Sequence, residues 1–272
     1  MANQTIYPLN PYSEIRTEPL VTEMSGMRVN KLSVRNWQPN KDTGIEEETG
    51  VGVVSENYLL INNSEVKEVA WEIADKTDFQ WEEGRTFWDG KRFMYTLKTD
   101  EPVGTVKVGD DVALGLQFWN SYDGSTAFSF RYMLYRLACL NGMTFTDTFN
   151  SYRFKHQPKS QNWDQTILDN SKRINGSISD GTLEKVLARM KCMTEKGLNV
   201  NNLGFLRQEY LNKLPTNTWG EIIDRFLMEE PDCTAWDMLN AGTNVLWHKE
   251  KPTKASLDHN AYVTEGVINA FA

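Results

Sequence analysis

Phe87-Trp88-Asp89-Gly90-Lys91-Arg92-Phe93-Met94-Tyr95-Thr96-Leu97-Lys98 decides the fold. Asp-Gly between two aromatic, apolar flanks is the strongest short signal for a tight hairpin turn. The second arm alternates, with Phe93, Tyr95 and Leu97 on one side and Arg92, Met94, Thr96 and Lys98 on the other. Such a period of two is the signature of a strand buried on one face. Two more alternating stretches follow, at residues 112–119 and 126–137, separated by a turn containing Asp123-Gly124. Together they predict a small antiparallel sheet.

Upstream, Tyr58-Leu59-Leu60-Ile61 reads as a short strand, and Asn62-Asn63-Ser64 as a helix start. Val66, Val69, Ala70 and Ile73 then fall on one helical face, predicting a helix over 65–77. Downstream of Asn150 the period changes. Leu183, Val186, Leu187 and Met190 predict a helix over 180–196, and Trp219, Ile222, Ile223 and Phe226 one over 217–229. A further helix is expected over 232–247, and Val263, Val267, Ile268 and Phe271 suggest a final one. Residues 267–272 would form either a docked helix end or a hook for a partner. The expected class is α+β: a small antiparallel sheet packed on helices, followed by a mainly helical C-terminal half. Residues 1–56 read as an N-terminal arm and loop, with one strand over 27–37 and a solvated loop at Glu46-Glu47-Glu48. Residues 57–150 read as the sheet with its helix, and 151–272 as a helical region, either separate or compact with 57–150.

Composition excludes several classes. The chain has 272 residues and a formal net charge of -8, with 14 Lys+Arg and 22 Asp+Glu in residues 1–150 and 15 of each afterwards. An acidic balance argues against coating duplex DNA through bulk charge. No apolar run is long enough for a membrane helix, and the first residues do not resemble a signal peptide. Cys139, Cys192 and Cys233 are expected as buried thiols in a reducing cytoplasm. There is no phosphate-binding Gly-rich loop, no Cys-x-x-Cys and no His spacing suited to zinc. Asp110-Asp111 sits where a turn between strands would place charges, and Glu250-Lys251 near Asp232 only echoes a nuclease pattern. His248 is expected to bind helix-end carbonyls or to pack. Neither catalysis, a metal nor another cofactor is expected.

The sheet face opposite the apolar one would carry Arg92, Lys98, Gln117, Trp119, Arg131 and Tyr135. Cations interleaved with aromatic rings suit a flexible nucleic-acid strand, because cations meet phosphates and rings accept unpaired bases. The other reading of this face is an amphipathic surface covered by another subunit or by the N-terminal arm. Arg153, Lys155, His156, Lys159, Lys172 and Arg173 form a second basic stretch, either a phosphate-binding edge or an ordinary solvated loop.

Several segments resemble a known family. Asn57-Tyr58-Leu59-Leu60-Ile61-Asn62-Asn63 looks like its opening strand and turn, and Asn120-Ser121-Tyr122-Asp123-Gly124-Ser125 resembles its Ser-His-Asp-Gly turn. Arg136-Leu137-Ala138-Cys139-Leu140-Asn141 resembles its Arg-x-x-Cys-x-Asn. Thr234-Ala235-Trp236-Asp237-Met238-Leu239-Asn240-Ala241, with His248 beyond, resembles its C-terminal signature. The family is the phage/plasmid-like proteins of unknown function, found in prophages, plasmids and phages. The resemblance spans roughly 57–260 and departs at Tyr122, where the family prefers His. It implies a mobile-element protein of the bacterial cytoplasm and no particular chemistry. The element order is also loosely similar to that of single-strand annealing proteins.

These readings lead to a phage single-stranded DNA-binding protein supporting replication, recombination or transcription, with Arg92, Lys98, Trp119, Arg131, Tyr135, Arg153 and Lys155 on the nucleic acid. A phage or host polymerase is a possible second partner through the acidic first half, and a homo-oligomer is expected because open sheet edges are usually covered. The alternative is an acidic interaction protein that binds or inhibits a host protein without touching DNA.

Overall fold

The computed structural model describes residues 10–23, 25–39, 43–144, 152–156, 162–229, 232–249 and 252–272. At its centre β4 (Trp81–Trp88), β5 (Arg92–Lys107), β6 (Asp110–Ser121), β7 (Phe128–Arg136) and β8 (Asn141–Thr144) lie side by side in that order. β9 (Tyr152–Phe154) completes an antiparallel six-stranded sheet by pairing with the first residues of β7, while β8 pairs with its last. Asp89-Gly90 makes the β4–β5 turn as expected: the Asp89 carboxylate accepts from the Lys91 and Arg92 amides at 3.0 and 2.7 Å, and Gly90 adopts a φ of 88°.

One sheet face carries Phe93, Tyr95, Leu97, Leu114, Leu116, Phe118, Phe130, Tyr132 and Leu134 into the main core. Against it pack α1 (Asn63–Ala74) through Val66, Ala70 and Ile73, and α3 (Thr182–Thr194) through Leu183, Val186 and Met190. The start of α1 is held from two sides: Glu65 accepts the Asn62 amide, and the Tyr122 hydroxyl accepts the Asn63 amide. α2 (Trp163–Ser179) lies between them in sequence and buries Thr166, Asn170 and Ile174. Lys172 and Arg173 are exposed on this helix rather than in a loop, and His156 is buried. Lys159 and Glu250-Lys251 lie outside the described residues.

The remaining helices are α4 (Val200–Phe205), continued by a π-turn at Leu206–Tyr210, then α5 (Thr216–Glu229), α6 (Ala235–Trp247) and α7 (Lys254–Phe271). Thr234 and Asp237 form a reciprocal cap at the start of α6, as do Thr253 and Ser256 for α7. α6 is buried on nearly every side, and α6 and α7 pack on each other and on β8. Val267, Ile268 and Phe271 are buried, so the last helix is docked.

The N-terminal expectation needs correction. The strand expected over 27–37 is β2 (Arg28–Pro39), but residues 14–55 are not an arm and loop around it: β1 (Glu14–Val21) and β3 (Glu46–Ser55) flank β2 in a second antiparallel sheet. Glu46-Glu47-Glu48 belongs to β3, opposite Pro39, Gln38 and Trp37. This sheet meets the larger one through Val34, Val51 and Val54 around Tyr122. Tyr58–Ile61 is not a strand; instead Leu59 exchanges hydrogen bonds with His156 at 3.1 and 2.9 Å, and Tyr58 stacks on the His156 ring. The cysteines are free but not buried as expected: Cys139 and Cys233 are half-buried and Cys192 is exposed. Among the described residues no helix is long and apolar enough to cross a membrane.

His156 gives the fold a pH dependence. Burial lowers its pKa, partly opposed by its hydrogen bonds to Leu59 and Thr126. The unfolded chain, with an ordinary histidine pKa of about 6.5, then binds more protons than the folded one just below that pH. Stability from this residue is therefore present above about pH 6.5 and lost as the pH falls toward its lower folded value. Burial lowers the pKa of His248 and His259 in the same direction. Urea midpoints should fall between pH 7.5 and 5.5, and fall less in His156→Gln.

Candidate nucleic-acid interface

Strand pairing places the predicted face. Arg92 lies opposite Ser121. Met94, Trp119, Ser129 and Arg153 form one row across four strands, and Thr96, Gln117 and Arg131 the next. Lys98, Gly115, Met133 and Thr144 follow, and Ala113, Tyr135 and Gly142 after them. Arg92, Lys98, Gln117, Trp119, Arg131 and Tyr135 therefore do share one face, and Arg153 joins it from β9.

That face is not open. Met94, Trp119, Met133 and Tyr135 form a second core with Phe87, with Trp247 at the end of α6 and with Leu257 near the start of α7. Trp119 is 1 % exposed and Tyr135 2 %, so neither ring can receive a base in this conformation. The cover is the corner between α6 and α7, rather than another subunit or the N-terminal arm. Gly142 makes room for it: a Cβ there would lie 2.9 Å from the Trp247 ring and 2.7 Å from Met133 Cε. The Trp119 indole N–H donates to Gln117 at 2.9 Å, and the Lys254 ammonium sits 4.5 Å from its ring centroid.

Beyond this cover, the face has a cationic end. Arg92 is tied to Asp89 at 2.7 Å, and Lys254 to Asp258. Burial lowers the Lys254 pKa; Asp258 opposes the shift, while Arg131 and Arg92 add to it. The Arg131 guanidinium is half-buried, and among the described residues it has no hydrogen bond and no carboxylate within ion-pair distance. Burial depresses its pKa too, with Asp258 and Glu265 acting against that from further away and Arg153 adding to it. Arg153 is exposed at the rim. Four cations thus converge where two carboxylates are in direct contact. Lys254 was not legible as a member, because nothing in sequence says that α7 starts over Trp119.

Lys98 and Tyr135 lie at the other end of the face. Lys98 is paired with Glu82, and Lys98 and Tyr135 line a cavity of about 390 Å³ with Arg85, Trp247 and His248. Lys155 is exposed beyond β9. The seven predicted residues are therefore divided. Arg92, Trp119, Arg131 and Arg153 come together, Lys98 and Tyr135 belong to a different pocket, and Lys155 stands outside the strand.

The motif residues join elements far apart in sequence. Asp110 is not a turn charge: it is 2 % exposed, accepts from Arg136 at 2.6 Å and from the Trp236 indole at 2.8 Å. Asn141 donates to the Asn240 carbonyl at 3.2 Å and accepts from Asn244 at 3.1 Å. His248 caps α6 with Nε2 on the Cys139 carbonyl at 3.0 Å and on Asn141 Oδ1 at 2.9 Å, so Nε2 carries the proton. Asn120 donates to the Ile61 carbonyl at 2.8 Å and to Asn63 at 3.1 Å. Tyr122 bonds the α1 start through its hydroxyl. Among the described residues no three His, Cys, Asp or Glu stand together as metal ligands.

Fold and motifs define an α+β protein whose large antiparallel sheet has helices locked to its strand ends by buried polar pairs. The chain belongs to the family described as Domain of unknown function (DUF932), whose model matches residues 51–267. The match opens inside β3, so β1 and β2 precede it, and it takes in the whole large sheet. No curated protein and no solved structure matches the chain.

Proposed function

We propose that the protein binds single-stranded DNA through Arg92, Arg131, Arg153 and Lys254. The observation that supports this most is Arg131, a half-buried guanidinium beside other cations with no ion pair of its own among the described residues. A guanidinium desolvated without a carboxylate gains most from a phosphate, which its fork geometry fits. A flexible single strand can bring a phosphate into this recess, whereas a stiff duplex meets only exposed groups such as Arg153. The contact is electrostatic, because Trp119 lies beneath Lys254 and offers no stacking surface. Lys98, Tyr135 and Lys155 are left out of the interface.

Within this reading the protein is a phage-encoded, cytoplasmic homo-oligomer serving replication, recombination or transcription, with a polymerase as a further partner. A protein partner has its own support in the small sheet. β1 is an edge strand, and Val21, Met27, Val29, Ile45 and Val53 are exposed on that sheet and its turns.

Fluorescence anisotropy of a labelled oligonucleotide tests the interface. Arg131→Ala should weaken single-strand binding about tenfold and reduce the salt slope by about 0.7, the loss of one phosphate contact. Arg153→Ala should act in the same direction, and Lys185→Ala, on α3, should have no effect. Equal affinities for all four proteins would refute the interface.

A further inference from the structure

The cavity at the opposite end of the second face carries an inference of its own. β4 pairs Glu83 with Leu97 and Thr86 with Tyr95, so one residue is extra and the strand bulges at Gly84-Arg85. A bulge redirects a side chain, and here Arg85 is turned onto Trp247, 5.5 Å from its ring centroid. Gly84 has no room for a side chain: a Cβ would lie 2.5 Å from Thr96 Oγ1 and 3.3 Å from the Tyr135 hydroxyl. The Arg85 guanidinium donates to the Lys249 carbonyl at 3.2 Å, but among the described residues it has no carboxylate partner. Thr96 gives its proton to the Arg85 carbonyl at 2.9 Å. The Tyr135 hydroxyl is buried at the cavity wall beside the Thr96 hydroxyl, and no other hydrogen-bond partner reaches it among the described residues.

Other groups line the same space. His248 commits its Nε2–H to Cys139 and Asn141, so its Nδ1 is an acceptor and adds no donor for an anion. Lys98 reaches the wall while paired with Glu82. Glu83, the one carboxylate of the lining, is held by Lys67. Leu140, on the rim, adopts a φ of 53°, a left-handed conformation that a branched side chain rarely takes. An unpaired guanidinium, a second cation and a buried phenol donor around about 390 Å³ suit a tetrahedral anion carrying a body of nucleotide size.

We propose that this cavity binds a phosphate monoester, with Arg85 and the Tyr135 hydroxyl as its principal donors. The group comes from a free nucleotide or from the 5′ end of a strand. The inference does not depend on the Arg131 cluster, and separate substitutions test the two.

Calorimetric titration of the full chain uses deoxyadenosine 5′-monophosphate and deoxyadenosine as probes. The monophosphate should bind at least tenfold tighter than the nucleoside, and Arg85→Gln should abolish that preference. Tyr135→Phe removes only the hydroxyl and keeps the ring in its packing, so it should stay near the wild-type thermal midpoint and weaken the monophosphate about threefold. This second variant keeps the test open if Arg85→Gln does not fold. A 5′-phosphorylated oligonucleotide and its 5′-hydroxyl counterpart, compared in wild type and Arg85→Gln, separate the sources. An Arg85-dependent preference for the phosphorylated strand assigns a strand end; binding of the mononucleotide without it assigns a free nucleotide. No phosphate-dependent binding of any probe, or binding unchanged in both variants, overturns the proposal.

Discussion

Trp119→Ala is expected to lower the unfolding free energy by about 3–5 kcal/mol, the usual cost of emptying a large buried aromatic site. The ring is 1 % exposed, 6.0 Å from Phe87 and beneath Lys254, so its loss opens a cavity between the sheet and the α6–α7 corner. It also leaves Gln117 Oε1 without the indole donor. Urea unfolding measures the effect, with a lower midpoint at an unchanged slope. A surface base-stacking residue would behave oppositely, losing affinity with stability unchanged. The contrast with Arg131→Ala therefore separates the packing of this face from its binding: the arginine variant should stay within about 1 kcal/mol of wild type while losing affinity.

Asp110→Ala should cost about 3–5 kcal/mol, because it breaks a buried ion pair and removes the acceptor of a buried indole N–H. Arg136 loses its carboxylate, and the Trp236 indole N–H loses its only described acceptor. These contacts tie β6 to β7 and α6 to the sheet, so the damage should reach the helical half. Asp111→Ala is the matched control. Its carboxylate accepts from Thr105 at 2.6 Å in an exposed pair, and its loss should cost less than about 1 kcal/mol. Equal midpoints for the two variants would contradict the assigned role of Asp110.

Much of the large sheet could be read from sequence because its side chains alternate and Asp89-Gly90 marks the turn. α3, α5 and α7 could be read because each presents apolar residues at helical spacing. α2 could not: two of its buried positions, Thr166 and Asn170, are polar, so no apolar period marks the helix. The strand expected over 27–37 is β2, but β1 and β3 were hidden for a related reason. Most of their residues are exposed, and Val51 and Val54 are too few to show an alternation. The site was legible in register and misleading in exposure. Alternation correctly placed Arg92, Trp119 and Arg131 on one face, but which helix crosses a face depends on contacts between distant segments. The composition of that face held the missing hint. Met94, Trp119, Met133 and Tyr135 are too apolar for an open surface and anticipated the cover provided by Trp247 and Leu257.

Single-stranded DNA binding is tested most directly by anisotropy of one labelled oligonucleotide, single-stranded and as its duplex, titrated with the unmodified protein at about 50 and 200 mM salt. The account predicts tighter binding of the single strand, weakening as salt rises. No binding of either form at the lower salt, or a preference for the duplex, would contradict it and leave the exposed edge of the small sheet, with a protein partner, as the surface to pursue.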